Sequence, residues 1–134
     1  MPGEFLDSNV LIYAFTSDAR AARAQELLAG DGITSVQGLN EFANVARRKL
    51  AMSWAEINDA LANLKILLRE VLPMDLQTHE EALRIVEHHN VSFFDALMVA
   101  SALRAQCTTL WSEDMQHGLL IHNRLGIVNP FARP

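Results

Sequence analysis

The sequence predicts an α/β fold with a short, mostly parallel sheet of about five strands. Two observations carry this reading. Strand-like runs of three to five residues alternate with one or two helical stretches along the chain. One helical stretch, Phe93 to Ala105, is apolar on nearly every side and therefore needs cover from several directions.

Phe5-Leu6 reads as a short buried strand ending at Asp7, with Ser8 or Asn9 capping a short helix over Val10 to Phe15. Ala21 to Ala29 is helical, with Ala22, Leu27 and Leu28 toward the core and Gly30 as its stop. Gly32 to Ser35 is a second strand. Leu39, Phe42, Ala43, Ala46 and Leu50 then recur at helical spacing. Ser53-Trp54-Ala55-Glu56 is a capping box that starts a helix reaching about Arg69. Val71 to Met74 is a third strand or an extended piece. Thr78-His79-Glu80-Glu81 is a second capping box, opening a helix to about His89, and Ser92 caps the apolar helix. Thr108 to Trp111 and Gly126 to Val128 complete the strands. No linker-like, repetitive or low-complexity tract divides the sequence, so residues 1–134 read as one domain.

Half the residues are hydrophobic and a fifth are charged, a globular composition rather than a disordered one. The single cysteine, Cys107, excludes an intramolecular disulfide or a thiolate cluster and suits a reducing compartment. The early apolar run Val10 to Phe15 is too short to span a bilayer. The opening Met-Pro-Gly-Glu meets Asp7 at once, unlike a secretory signal, and no membrane partner is expected. A net charge of −5 argues against broad electrostatic binding of nucleic acid.

The positions of particular acids carry more information than that sum. Asp7 ends the first strand, Glu41 lies on the helix after the second, Asp95 in the first turn of the apolar helix, and Glu113 and Asp114 after the fourth strand. Ligands of open parallel sheets collect at the carboxyl ends of strands, the rim these elements share. Each acid also has an ordinary reading. Asp7 could cap its helix, Asp95 could close a box with Ser92, and Glu113 and Asp114 could be turn acids. Glu41 could pair with a neighbour, but Gln37, Gly38, Asn44 and Val45 carry no cation. Several unpaired acids at one rim would raise each other's pKa values, a strain that a hard divalent cation relieves. Three or four carboxylates without Cys or His suit metal-assisted phosphodiester hydrolysis. These five acids equal the whole net charge, so the remainder of the chain sums to zero. A cation held among them would reverse much of the local repulsion toward phosphate.

Four segments occur in a telling order: Phe5-Leu6-Asp7-Ser8-Asn9-Val10-Leu11-Ile12-Tyr13, Leu39-Asn40-Glu41-Phe42, Ser92-Phe93-Phe94-Asp95-Ala96-Leu97 and Ser112-Glu113-Asp114-Met115, closed by Gly126-Ile127-Val128-Asn129-Pro130-Phe131. In these the chain resembles PIN-domain ribonucleases, and more closely the VapC-type toxins of type II toxin–antitoxin pairs. The resemblance implies a three-layer PIN-like fold and an Mg²⁺- or Mn²⁺-dependent endoribonuclease, a hydrolase leaving 5′-phosphate and 3′-hydroxyl ends. It implies that Asp7, Glu41, Asp95 and Asp114 are the catalytic, metal-binding acids, with Glu113 the rival for the fourth place and Asn9 and Ser112 in support. It further implies a cytoplasmic toxin, a homodimer, with tRNA or rRNA as substrate. A cognate antitoxin would lay its tail over an apolar groove between the early helices and aim an Arg at the acids.

Arg47-Arg48-Lys49 is the densest basic patch and a candidate RNA contact, or else a helix end answering its dipole. Arg20 and Arg23 are weaker candidates of that kind. The five histidines are scattered without zinc spacing, and His117 and His122 read as solvated loop residues. Trp54 and Trp111 read as core or dimer anchors. No P-loop, dinucleotide fingerprint or nucleophile elbow is present. Two other classes compete: a catalytically inactive PIN-like binding module, and a phospho-acceptor signalling domain. The second needs a late Lys, and the only lysines are Lys49 and Lys65.

Overall fold

Phe5 and Leu6, neighbours on strand β1 (Glu4–Leu6), are both fully buried on opposite faces of the sheet. That alternation requires a layer of helices on each side. The computed structural model describes residues 3–132, so residues 1–2 and 133–134 of the 1–134 span lie outside it. Phe5 packs with α5 (Leu76–His88) and α6 (Phe93–Arg104). Leu6 packs with α1 (Ser8–Tyr13), α2 (Ala21–Leu28), α3 (Val36–Arg48) and α4 (Trp54–Leu67). The result is three layers, with α6 buried continuously from Ala96 to Leu103 as its composition requires.

The remaining strands are β2 (Ile33–Ser35), β3 (Glu70–Leu72), β4 (Thr109–Trp111), β5 (Leu120–Ile121) and β6 (Leu125–Val128), in the order β3-β2-β1-β4-β6-β5. All pairings are parallel except β5 with β6. The chain winds outward from β1 to β2 and β3, then returns to the other side of β1 at β4. The β1–β4 junction is therefore the switch point, where a crevice opens beyond the strand ends. Leu6 is in register with Trp111, so Asp7 and Ser112 emerge side by side at that crevice.

The sheet has six strands rather than five. The additional β5 has two residues, and its hairpin turn holds His122 and Asn123 at φ 52° and 54°. Asp7 itself caps α1: its Oδ1 accepts from Ser8 N at 2.7 Å, a role the sequence reading gave first to Ser8 or Asn9. The Ser53–Glu56 capping box is present in both directions. The Thr78–Glu81 box is not the start of α5. Asp75 caps it, accepting from Thr78 N, because its carboxylate is also held by Arg104 and so fits the earlier turn. Helix α4 ends at Leu67, not Arg69, since β3 begins at Glu70 and stops at Leu72, short of Met74. On α2, Ala24 rather than Ala22 joins Leu27 and Leu28 in the core, as i, i+3, i+4 spacing demands. Trp54 is 59% exposed and lies under the Arg47 guanidinium, so it is no core residue.

The start of α3 is held close to β2. Ser35 Oγ accepts from Gly38 N at 3.2 Å, and the buried Thr34 hydroxyl donates to Leu6 O at 2.9 Å. A Cβ on Gly38 would stand 2.3 Å from that hydroxyl. Gly38→Ala is therefore expected to destabilise the fold by about 1–3 kcal/mol in urea unfolding, despite alanine's better helix propensity. An unchanged midpoint would show that Thr34 turns aside freely.

Candidate active site

Asp7 is 2% exposed, and both its oxygens are held. Oδ1 accepts from Ser8 N, while Oδ2 accepts from Ser112 Oγ at 2.7 Å and Asn9 Nδ2 at 3.2 Å. Burial pushes its pKa from 3.8 up to about 7. The Ser112 and Ser8 hydrogen bonds pull the other way, and the charges of Asp95 and Glu41 add to the rise.

The other acids reach the same crevice from three directions. Glu41, on the second turn of α3, accepts from Ser8 Oγ at 2.8 Å and Gln37 Nε2 at 3.2 Å, and has no cationic partner among the described residues. Asp95 stands in the first turn of α6, two places after Phe93, with its backbone N–H donating to the cap, Ser92 Oγ. Its pKa is also raised, first by desolvation and then by the charges of Asp114 and Glu41, against the Ser92 hydrogen bond. Asp114 is exposed, and its Oδ2 accepts from Asn9 Nδ2 at 3.2 Å. Asn9 thus ties Asp7 to Asp114 through one amide, and its Oδ1 also accepts from Glu113 N at 3.2 Å. Ser112 is wholly buried: its Oγ donates to Asp7 and accepts from the backbone N–H groups of Asp114 and Met115.

Glu113 points elsewhere. Its carboxylate accepts from Tyr13 Oη at 2.6 Å and pairs with Arg20 at 2.7 Å. Desolvation and that hydrogen bond push the Tyr13 hydroxyl up to about 12, so it remains a donor. Arg20 also grips Asp18, which removes it as a free phosphate contact. Sequence reasoning missed this network; its members lie 93 residues apart, and only the fold shows the pairing.

An open cleft of about 580 Å³ runs from Ser8, Asn9 and Asp114 past Tyr13 to Lys49 and Leu50. Lys49 stands in its wall. Arg47 is turned away over the Trp54 ring, with its guanidinium donating to Met52 O, and Arg48 is exposed at the end of α3. Arg23 pairs with Glu26 and lies over Trp111.

The donor set is all oxygen and suits a hard divalent cation. Among the described residues, no group of three or more His, Cys, Asp or Glu side chains is placed so as to hold a metal ion by itself.

No curated protein matches the chain. Solved structures do match it in fold. VapC20 of Mycobacterium tuberculosis, described as a sarcin–ricin-loop-cleaving toxin, is 22% identical at a TM-score of 0.69, covering 84% of this chain and 92% of its own. A toxin–antitoxin complex from Klebsiella pneumoniae gives 16% identity and a TM-score of 0.74 over 96% and 98%. VapBC2 of Rickettsia felis, bound to a fragment of its promoter DNA, gives 18% and 0.67 over 94% and 98%. The PIN domain family matches residues 5–118, most of the chain; the chain belongs to the PIN domain family.

Proposed function

We propose that the chain, one PIN domain over residues 1–134, is a divalent-metal-dependent endoribonuclease and the VapC-type toxin of a toxin–antitoxin pair. The observation that carries this is a buried carboxylate, Asp7, close to Asp95 and Glu41 and, among the described residues, without a cation to balance it. Such a group weakens the fold unless it serves a ligand.

Asp7, Glu41, Asp95 and Asp114 would hold Mg²⁺ or Mn²⁺, which when bound neutralises phosphate charge and makes water a better nucleophile. Ser112 and Asn9 orient Asp7, and Asn9 sets Asp114 beside it. Ser8 aims Glu41 from the turn that Asp7 caps. Asp114 is preferred to Glu113 because the latter is spent on Arg20 and Tyr13. Lys49, across the cleft, would steady the RNA backbone together with the exposed Arg48 just before it, whereas Arg47 is held on Trp54 and Met52. An apolar hollow of about 390 Å³ lined by Phe15, Leu28, Ile66 and Leu67 is the place we assign to a cognate antitoxin's tail. The toxin–antitoxin complexes of similar fold support that partner. A structured tRNA or rRNA substrate, a homodimer and a cytoplasmic setting belong to the same reading; no described helix is long and apolar enough to cross a membrane.

The test is cleavage of cellular tRNA and rRNA in Mg²⁺ or Mn²⁺. Asp95→Asn and Asp114→Asn are each expected to reduce the rate roughly hundredfold or more. Glu113→Gln should stay within about tenfold, since it loses only a partly exposed ion pair. Cleavage untouched by Asp95→Asn rejects the assignment; no cleavage by the intact chain favours the inactive binding module.

A further inference from the structure

Phe94 is 60% exposed, although it sits between the half-buried Phe93 and Asp95. A phenylalanine left in water gives up the stabilisation its burial would bring. Among the described aromatic side chains its ring meets Phe93 alone, in a T-shaped contact at 5.7 Å between centroids, and more than half of the side chain stays in solvent. Opposite it runs one face of α3, where Gln37, Asn40, Glu41 and Asn44 follow at i, i+3, i+4 and i+7. Together these five residues line a shallow, open hollow of about 350 Å³. Gln37 donates to Glu41, but among the described residues neither Asn40 nor Asn44 uses its side-chain amide in a hydrogen bond. The hollow therefore offers a flat apolar face, free carboxamide donors and acceptors, and a shared wall, Glu41, with the acidic crevice.

We propose that this hollow is a subsite for one unpaired nucleobase next to the scissile phosphate, with Phe94 as the stacking surface and Asn40 and Asn44 reading the base edge. The inference rests on the ribonuclease reading and sharpens it to single-stranded loops or bulges. A base in a continuous helix cannot present its face to a side chain, whereas an unstacked base can. Carboxamides supply both donor and acceptor, so they discriminate among bases where the ring does not. The arrangement also explains an aromatic directly before Asp95: the same helix turn that offers the carboxylate offers the platform.

The experiment compares the intact chain with Phe94→Ala, Phe94→Leu and Phe94→Trp, on short unstructured RNAs of A, C, G or U and on cleaved cellular RNA. Phe94→Ala and Phe94→Leu are expected to raise KM about ten- to hundredfold, with kcat less affected and the melting temperature unchanged or higher. Phe94→Trp should restore KM, and its added indole fluorescence should be quenched by the RNA. Asn40→Ala and Asn44→Ala should change the ranking of the four bases. If the intact chain cleaves no RNA, the ribonuclease reading fails and the subsite with it. If it cleaves and Phe94→Ala is kinetically silent, the subsite alone is overturned. The subsite is likewise overturned if Phe94→Ala leaves KM intact but shifts self-association in sedimentation, because the patch is then a protein contact.

Discussion

Replacing Asp7 by asparagine is expected to stabilise the cation-free protein at pH 8 while abolishing its response to Mg²⁺ or Mn²⁺. In the unfolded chain this carboxyl titrates near 3.8, and in the fold near 7. Between those values the native state keeps a proton that the unfolded chain has lost. Stability therefore falls as pH rises through that window, and the loss is complete above it. About three pKa units correspond to a penalty on the order of 4 kcal/mol at full ionisation. Asparagine caps helices as well as aspartate does and carries no charge to desolvate. In chelator, urea unfolding should thus favour Asp7→Asn by a few kcal/mol at pH 8 and show little difference at pH 4. Asp95 contributes in the same direction, its carboxyl also being raised by desolvation. With millimolar Mg²⁺ or Mn²⁺ the intact protein should gain melting temperature and the variant should not. A variant less stable than the parent at pH 8 in chelator would show that Asp7 is a structural cap and nothing more.

The parts of this site that were legible in sequence are those governed by local rules. A capping residue and its helix lie within a few positions of one another, so Ser53, Ser92 and the apolar α6 could be read directly. The acids could be placed because each follows a strand or lies in the first two turns of a helix, and the parallel order then brings those ends together. What escaped was long-range or too short to carry a period. Two residues cannot display alternation, so β5 was invisible; His122 and Asn123, residue types enriched at positive φ, were its one hint. Asp75 outbid Thr78 as a cap with help from Arg104, far along the chain. The commitment of Glu113 to Arg20 and Tyr13, which separates it from Asp114, likewise depends on residues that only folding brings near. Phe94 was hidden for a different reason: inside a uniformly apolar helix, periodicity cannot say which ring is left outside.

Ser112→Ala should have the opposite effect on the cation-free protein from Asp7→Asn, and the contrast separates strain from support. The Ser112 hydroxyl serves three partners: it donates to Asp7 Oδ2 and accepts from Asp114 N and Met115 N. Alanine leaves the two backbone donors short of an acceptor where Ser112 is fully buried. It also deprives Asp7 of the hydrogen bond that most restrains its raised pKa. The first effect destabilises the fold by about 2–4 kcal/mol at any pH. The second widens the pH window over which stability falls, since the native state then holds its proton to a higher pH. A cation must displace that proton to bind, so its affinity should drop roughly ten- to hundredfold at pH 7 and recover partly at pH 8.5. Asp7→Asn thus loses the response to Mg²⁺ in a more stable protein, whereas Ser112→Ala weakens it in a less stable one. In the double variant the Asp7 part of the Ser112 effect should vanish, because no carboxylate remains to be held. The shortfall from additivity then measures the bond between them. Strict additivity would mean that Ser112 supports the turn after β4 independently of Asp7.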